Sequence, residues 1–401
     1  MRILLVLEAS LGGTSRHILD LASGLLERGE QVHLIYSPLR VDQSFLSRLA
    51  ILCGERPDFH CQAVSITREV GASDLSSYRA LSRYVREEGP FDVIHAHSTK
   101  AGFLARLLLN TQGARMVYTP HGLMTLDPQL PRLRRSAVCT LESILARRSD
   151  AVISVSIHEN TCALETGIDP TKLFVIPNGI RPLSIASHAQ RRASIRASLG
   201  LSPDTVCIGF VGRFFWYKKP ERVLDAFALL KNKTTRPLRL VMLGWGPLEV
   251  ELRRRVSELA INKDVLFLGQ VDGPAYIPAL DVLANSSLFE GMSYAFLEAL
   301  SSGVPIVTTK VGGTDELISH GVTGYVCDPW DPNTFADHLQ LLVDDPCRRS
   351  EMSGAARERA AWYSVTKMVD SIADLYGRLC ARPDPAPLVP ARYKTLPGNS
   401  K

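Results

Sequence analysis

The feature that most constrains this chain is a repeated alternation of short apolar runs with longer helical patterns. In the first half the apolar runs are Ile3–Leu7, Val32–Tyr36, Val93–His95, Met116–Tyr118, Val152–Val155 and Phe174–Ile176. In the second half they are Val206–Val211, Leu238–Leu243, Val265–Leu268, Val282–Ala284 and Pro305–Thr308. Between them lie stretches of helical periodicity such as His17–Arg28, Gly102–Leu109, Glu221–Leu230 and Pro247–Ala260. Apolar runs without period-two alternation suit strands buried on both faces. Their alternation with helices predicts parallel sheets covered by helices on both sides, an α/β architecture.

The series restarts after Ile176-Pro177-Asn178-Gly179, where Pro and Asn-Gly mark a turn. With 401 residues, two doubly wound domains of about 180 residues each are expected. We place the first at residues 1–180 and the second at 186–364. The polar stretch from Ser184 to Arg196 reads as the hinge between them, or as a surface loop within one larger domain. Val365–Leu379 reads as an amphipathic helix, with Met368, Val369, Ile372, Leu375 and Leu379 on one face. Arg382–Lys401 carries five prolines and little apolar periodicity, and reads as a disordered tail.

Hydrophobic residues make up 45% of the chain and charged residues 22%, an ordinary globular balance. No uncharged apolar run reaches the 18 residues of a membrane span, and Glu8 interrupts the apolar start. A net charge of +5 suits an anionic ligand or an acidic membrane surface, but not a nucleic-acid binder with a dense basic stripe. The eight cysteines form no C-x-x-C pair and mostly sit in apolar stretches, so buried free thiols in a reducing cytoplasm are expected.

The candidate chemistry sits where strands end. Gly12-Gly13 follows the first strand and opens a helix, so its backbone N–H groups favour an anion or form a plain tight turn. Gly212-Arg213 ends another strand, with Lys218 on the loop beyond. An Arg fork and a Lys point charge outside a strand's carboxyl end suit a diphosphate, or are a solvated cluster. Glu290 lies on a loop before a short helix, Tyr294–Ser302, for which Ser293 is the expected N-cap, and Glu298 lies within that helix. Two carboxylates there accept bonds from sugar hydroxyls, act as an acid/base pair, or are surface charges. Gly312-Gly313 is a second glycine turn. His97 and His121 stand at strand ends, where an imidazole donates to a hydroxyl or phosphate, moves a proton, or is structural. Arg132, Arg134 and Arg135 open an amphipathic helix carrying Val138, Leu141 and Leu145. Cations at a helix N-terminus oppose its dipole, so an acidic lipid surface or acceptor competes with a solvated face as their explanation.

No metal-binding H-x-x-x-H or H-E-x-x-H, no D-x-D, no P-loop, no nucleophile elbow and no dinucleotide fingerprint occurs. No cofactor or metal is expected, and an oxidoreductase is disfavoured.

Together, Gly212-Arg213 through Lys218, Gly244-Trp245-Gly246-Pro247, and Phe289-Glu290-Gly291-Met292 through Leu297-Glu298-Ala299 with seven residues between the glutamates resemble the retaining glycosyltransferases of family four. Gly303-Val304-Pro305, Val311-Gly312-Gly313, His95-Ala96-His97, Thr119-Pro120-His121-Gly122 and Pro177-Asn178-Gly179 extend the likeness from residue 1 to about 380. The resemblance implies a GT-B fold, in which two facing Rossmann-like domains enclose a cleft and the helix at 365–381 crosses back onto the first domain. It implies that the C-terminal domain holds a nucleotide-diphosphate sugar and the N-terminal domain most of the acceptor, for which the basic amphipathic helix suits a polyprenyl-linked glycan and a soluble glycan is equally allowed. It assigns Arg213 and Lys218 to the diphosphate, Glu298 to the ribose and Glu290 to hydroxyls of the donor sugar. Gly12 and Gly13 approach the diphosphate from the other domain, and His121 lies near the transferred sugar. It further implies metal-independent transfer in polysaccharide biosynthesis, in the cytoplasm or on the inner membrane face. Trp245, Lys219 and Ser15 depart from the family pattern. On the same fold, a nucleotide-sugar 2-epimerase and a non-catalytic donor-binding subunit are the competing readings.

Overall fold

The computed structural model describes residues 1–182, 184–329 and 331–381, so the tail expected at 382–401 lies outside the described residues. The chain divides into two compact units, one from Met1 to Gly179 joined by the chain from Val365 onward, the other Ile180–Ser364.

The first unit is built on strands β1 (Arg2–Leu7), β2 (Gln31–Tyr36), β3 (Phe59–Ala63), β4 (Val93–His97), β5 (Arg115–Thr119), β6 (Ala151–Ser154) and β7 (Leu173–Val175). They form one parallel sheet in the order β3-β2-β1-β4-β5-β6-β7. The strand order reverses beside β1, where the neighbours on its two sides are β2 and β4. That is the switch point at which ligands of open α/β sheets bind, beyond the strands' carboxyl ends. Ile3, Leu5 and Leu7 pack on one face of the sheet, and Leu4 and Val6 on the other. Both faces are dry, which is why β1 reads as a continuous apolar run.

Helix Val365–Cys380 belongs to this unit. Its Met368, Val369, Ile372, Leu375 and Tyr376 join the core around Ile18, Leu21 and Leu25 of helix Gly13–Glu27. A Cβ on Gly24 would come within 2.6 Å of Val369, so glycine is what lets the two helices approach this closely.

The second unit contains β8 (Val206–Val211), β9 (Leu238–Leu243), β10 (Val265–Gly269), β11 (Val282–Asn285), β12 (Ile306–Thr309) and β13 (Gly324–Cys327). The order β10-β9-β8-β11-β12-β13 places its switch point beside β8. The loops after β8 and β9 touch through backbone. A Cβ on Gly244 would lie 1.9 Å from the Gly212 carbonyl oxygen, so no other residue fits there.

Three sequence expectations need correction. β3 and β13 were absent from the expected strands. β3 is an edge strand exposed after Phe59, so it shows no apolar run, whereas β13 (Gly-Tyr-Val-Cys) is mostly buried and, at four residues, too short to stand out. The stretch Ser184–Arg196 is not a loop but helix Ile185–Ser198, capped by Ser184 accepting from the Ser187 amide. Its arginines look like linker polarity, yet Arg192 and Arg196, one turn apart, clamp Asp281 at 2.6 and 3.0 Å. Finally, all eight cysteines are free, but only Cys207 and Cys327 are buried, while Cys53, Cys61, Cys347 and Cys380 are exposed.

Candidate functional site

In the second unit, the loops after β8 and β11 are tied together. Ser286 Oγ donates to the Lys218 and Lys219 carbonyls at 3.1 and 2.6 Å, and the Leu288 amide donates to the Tyr217 carbonyl at 2.7 Å. This brings Lys218 against Glu290, whose Oε1 accepts from Lys218 Nζ and, at 2.7 Å, from Ser287 Oγ. Both side chains are largely buried. Arg213 donates to the Tyr217 hydroxyl at 2.8 Å and lies over the Phe215 ring at 4.8 Å. Tyr217 in turn stacks on Phe289, with centroids 5.1 Å apart. The structure therefore brings Lys218 and Glu290 into direct contact and holds Arg213 on the same loop as Lys218. Tyr217 and Ser287 had no signal beyond their neighbours in the sequence.

Lys219 is left-handed, with φ 49°. A glycine adopts that conformation freely, while an L side chain costs about 1–2 kcal/mol. Glu298 is buried in helix Tyr294–Ser301. Ser293 precedes this helix but makes no side-chain cap, contrary to expectation. Gly313, with φ 74°, leads into the single turn Thr314–Leu317 after β12. Trp245 is 36% exposed at the end of β9.

In the first unit, four histidines gather at the ends of β1, β4 and β5. His95 contacts the Tyr376 hydroxyl through Nδ1 at 2.5 Å and the Thr119 hydroxyl through Nε2 at 2.7 Å. His97 Nδ1 meets His121 Nε2 at 3.0 Å, and His17 Nδ1 meets Asn178 Oδ1 at 3.1 Å. Burial is the main force holding these imidazoles neutral. It pushes His17 down to about 4, and His95, His97 and His121 well below the usual histidine range. Ring nitrogens of His17, His97 and His121 all lie within 4.8 Å, the one grouping of metal-type donors among the described residues. The contacts above already engage a ring nitrogen of each. His17 escaped the sequence reading because it looks like one more residue of an amphipathic helix.

The Gly12-Gly13 turn differs from expectation in one respect. The Gly12 amide is taken by Asp42 Oδ2 at 3.1 Å, so it is not a free anion donor in this state. Asp42 also caps helix Gln43–Glu55 through the Phe45 amide. Ser15 donates to the Gly12 carbonyl at 2.6 Å and lies 3.4 Å from Asp42. The carboxylate at this turn thus arrives from a distant loop.

Arg132 and Arg134 are exposed, but Arg135 is not available to a partner. Its guanidinium donates to the carbonyls of Thr125 and Asp127, fixing the short 3-10 turn Met124–Leu126. Satisfying those carbonyls explains that cation at a helix N-terminus.

Comparison with known proteins decides the class. Residues 11–182 match the family described as Glycosyltransferase Family 4, and residues 191–359 match Glycosyl transferases group 1. The chain belongs to this glycosyltransferase family. It is 30% identical over 326 residues to the D-inositol 3-phosphate glycosyltransferase of Corynebacterium urealyticum, spanning 76% of each chain. It is 26% identical over 328 residues to UDP-Gal:alpha-D-GlcNAc-diphosphoundecaprenol alpha-1,3-galactosyltransferase of Escherichia coli, covering 79% of this chain and 81% of that one. Among solved structures, Anabaena HepE in complex with UDP-glucose superposes with a TM-score of 0.79 at 20% identity, covering 94% of this chain and all of that one. WaaG, a glycosyltransferase involved in lipopolysaccharide biosynthesis, gives 0.74 at 16% identity over 94% of this chain and 99% of that one. The glycosyltransferase therefore has the GT-B fold.

Proposed function

We propose that this glycosyltransferase moves a sugar from a nucleoside-diphosphate sugar to a glycan or polyprenyl-linked glycan, with retention of configuration and without a metal ion. The observation that carries this reading is the buried Lys218–Glu290 pair with Arg213 on the same loop, at the carboxyl ends of β8 and β11. Arg213 and Lys218 supply fixed positive charge to the departing diphosphate, the electrostatic role that a divalent cation plays elsewhere. Glu290 keeps Lys218 in place and offers its second carboxylate oxygen to hydroxyls of the sugar. Glu298 takes the ribose hydroxyls, and the turns at Gly12-Gly13 and Gly312-Gly313 bring backbone to the donor. His121 acts on the transferred sugar.

In the step itself the bond between the anomeric carbon and the diphosphate oxygen breaks, and one from that carbon to the acceptor oxygen forms on the same face. The acceptor's proton passes to the leaving diphosphate. Glu290 is not a covalent nucleophile in this scheme.

A lipid-linked acceptor is supported by the undecaprenol-linked substrate named for the E. coli relative. It also fits helix Arg132–Ala146, which exposes Leu133 (88%), Leu141 and Ile144 beside Arg132 and Arg134. Exposed apolar residues flanked by arginines suit the surface of an anionic bilayer on the cytoplasmic side. No described helix is long and apolar enough to cross a membrane.

The test is nucleoside-diphosphate release from UDP-, GDP- and ADP-sugars with chelator present, for the wild type and Glu298→Ala. We expect slow release from one donor, lost in the variant and accelerated by lipid-linked glycan. Release that requires added metal refutes metal independence. Sugar isomerisation without an acceptor points to epimerase chemistry, and absence of donor binding to a non-catalytic subunit.

A further inference from the structure

His121 occupies a turn that does not hold itself. After β5 ends at Thr119, φ is 56° at His121 and 113° at Gly122. A residue with a Cβ avoids the left-handed region unless its surroundings enforce it. The enforcing group is Glu159, on helix Ile157–Glu165 after β6, and wholly buried. One of its carboxylate oxygens accepts from the Gly122 amide at 2.6 Å and the Leu123 amide at 3.0 Å. The other accepts from the Val155 amide at 2.8 Å, and the Glu159 amide donates to Ser156 Oγ at 3.0 Å.

Two successive amides that follow a left-handed residue form a small anion-binding hollow. Here the anion is the protein's own carboxylate. A buried carboxylate is tolerated only with donors around it, and a buried amide only with an acceptor, so each side of this contact requires the other. Ser156 caps the helix at the Glu159 amide, and the Ser-x-x-Glu spacing, visible in the sequence, suggests only a helix start. The second job, across to the His121 turn, comes from packing β5 beside β6.

We propose that Glu159 is a positioning residue for His121, holding the Pro120–Leu123 turn so that the imidazole keeps its Nε2 against His97 and presents Nδ1 to a ligand. The proposal rests on the reading of His121 above, and its test separates the two. The side chains facing His121 are His17 and His97, with the His95 ring tilted against His97 at 3.9 Å. All are titratable, so the imidazole's protonation reports its placement among them.

Glu159→Gln keeps the shape but turns an NH2 group toward an N–H donor. Glu159→Asp keeps the charge and the helix cap but withdraws the carboxylate by one methylene, and serves if the amide variant folds poorly. We expect hydrogen exchange at the Gly122 and Leu123 amides to accelerate at least about tenfold. The His121 imidazole should titrate closer to 6.5 by NMR while His33 titrates as in the wild type. Affinity for the nucleoside diphosphate that the release assay selects should stay within twofold. With the donor that the release assay selects, kcat should fall by about 100-fold at constant donor KM, the loss typical of a misplaced reacting group. Wild-type exchange and His121 titration in both variants overturn the proposal. So does wild-type turnover in both while His121→Ala is inactive. A fully active His121→Ala refutes the reading of His121 instead, and the exchange and titration results still decide whether Glu159 holds the turn.

Discussion

Acid should unfold the first unit through its buried histidines, and His17 sets the scale. Its imidazole is held at about 4 by burial, only partly offset by the Asn178 hydrogen bond and by Asp20, against 6.5 when unfolded. Because the folded value lies below the unfolded one, the unfolded state binds the proton first. Stability is therefore full above pH 6.5 and lost as pH falls toward 4. This one group removes about 2.5 kcal/mol by pH 4.5 and about 3 kcal/mol by pH 4. A domain has only about 5–15 kcal/mol to lose. His95, His97 and His121 shift in the same direction and lie beside it, so their losses are coupled. The perturbation is His17→Gln, which removes the titration but can still bond Asn178. The assay is urea unfolding at pH 7 and 4.5, followed by hydrogen exchange of peptides from β1, β4 and β5. All four tryptophans, at positions 216, 245, 330 and 362, lie in the second unit, so their emission reports that unit separately. The wild type should lose about 2.5 kcal/mol more than the variant between those pH values, in the first unit. Equal losses, or a His17 imidazole titrating near 6.5, refute the reasoning.

Further substitutions at two places test the packing on which the site depends. Arg106, fully buried, pairs with Glu142 at 2.9 Å and lies 3.9 Å over the Tyr118 ring, so Glu142→Ala should cost about 3–5 kcal/mol by thermal melting. Replacing both partners, Arg106→Met with Glu142→Leu, should recover most of it; no recovery would show that the loss is not the stranded charge. In the second unit, Tyr217→Phe removes the hydroxyl that holds Arg213 and should weaken binding of the donor's nucleoside diphosphate by about 2- to 10-fold by titration calorimetry, with an unchanged melting temperature. An unaltered affinity would mean that Arg213 does not need that anchor.

The apolar runs of β1, β4, β8 and β9 are buried on both faces, so their composition alone declares parallel strands, and the glycine and Glu-x7-Glu spacings declare the family. Local composition is enough there because burial and backbone geometry act within a few residues. β3 escaped because an exposed edge strand needs no apolar run, β13 because its buried run is only four residues long, and Ser184–Arg196 misled because arginines that clamp Asp281 look like solvated ones. Only tertiary structure decided which polar groups meet. Asp42 reaches the Gly12 amide across 30 residues, Lys218 reaches Glu290 across 72, and Tyr376 reaches His95 across 281. Such contacts depend on which strands lie side by side and how far each loop extends beyond the sheet, and neither is written in the neighbours of the residues concerned. The chain's own order named the actors of this site. The packing of β5 beside β6 and of the final helix against the first unit determined which of them hold one another in place.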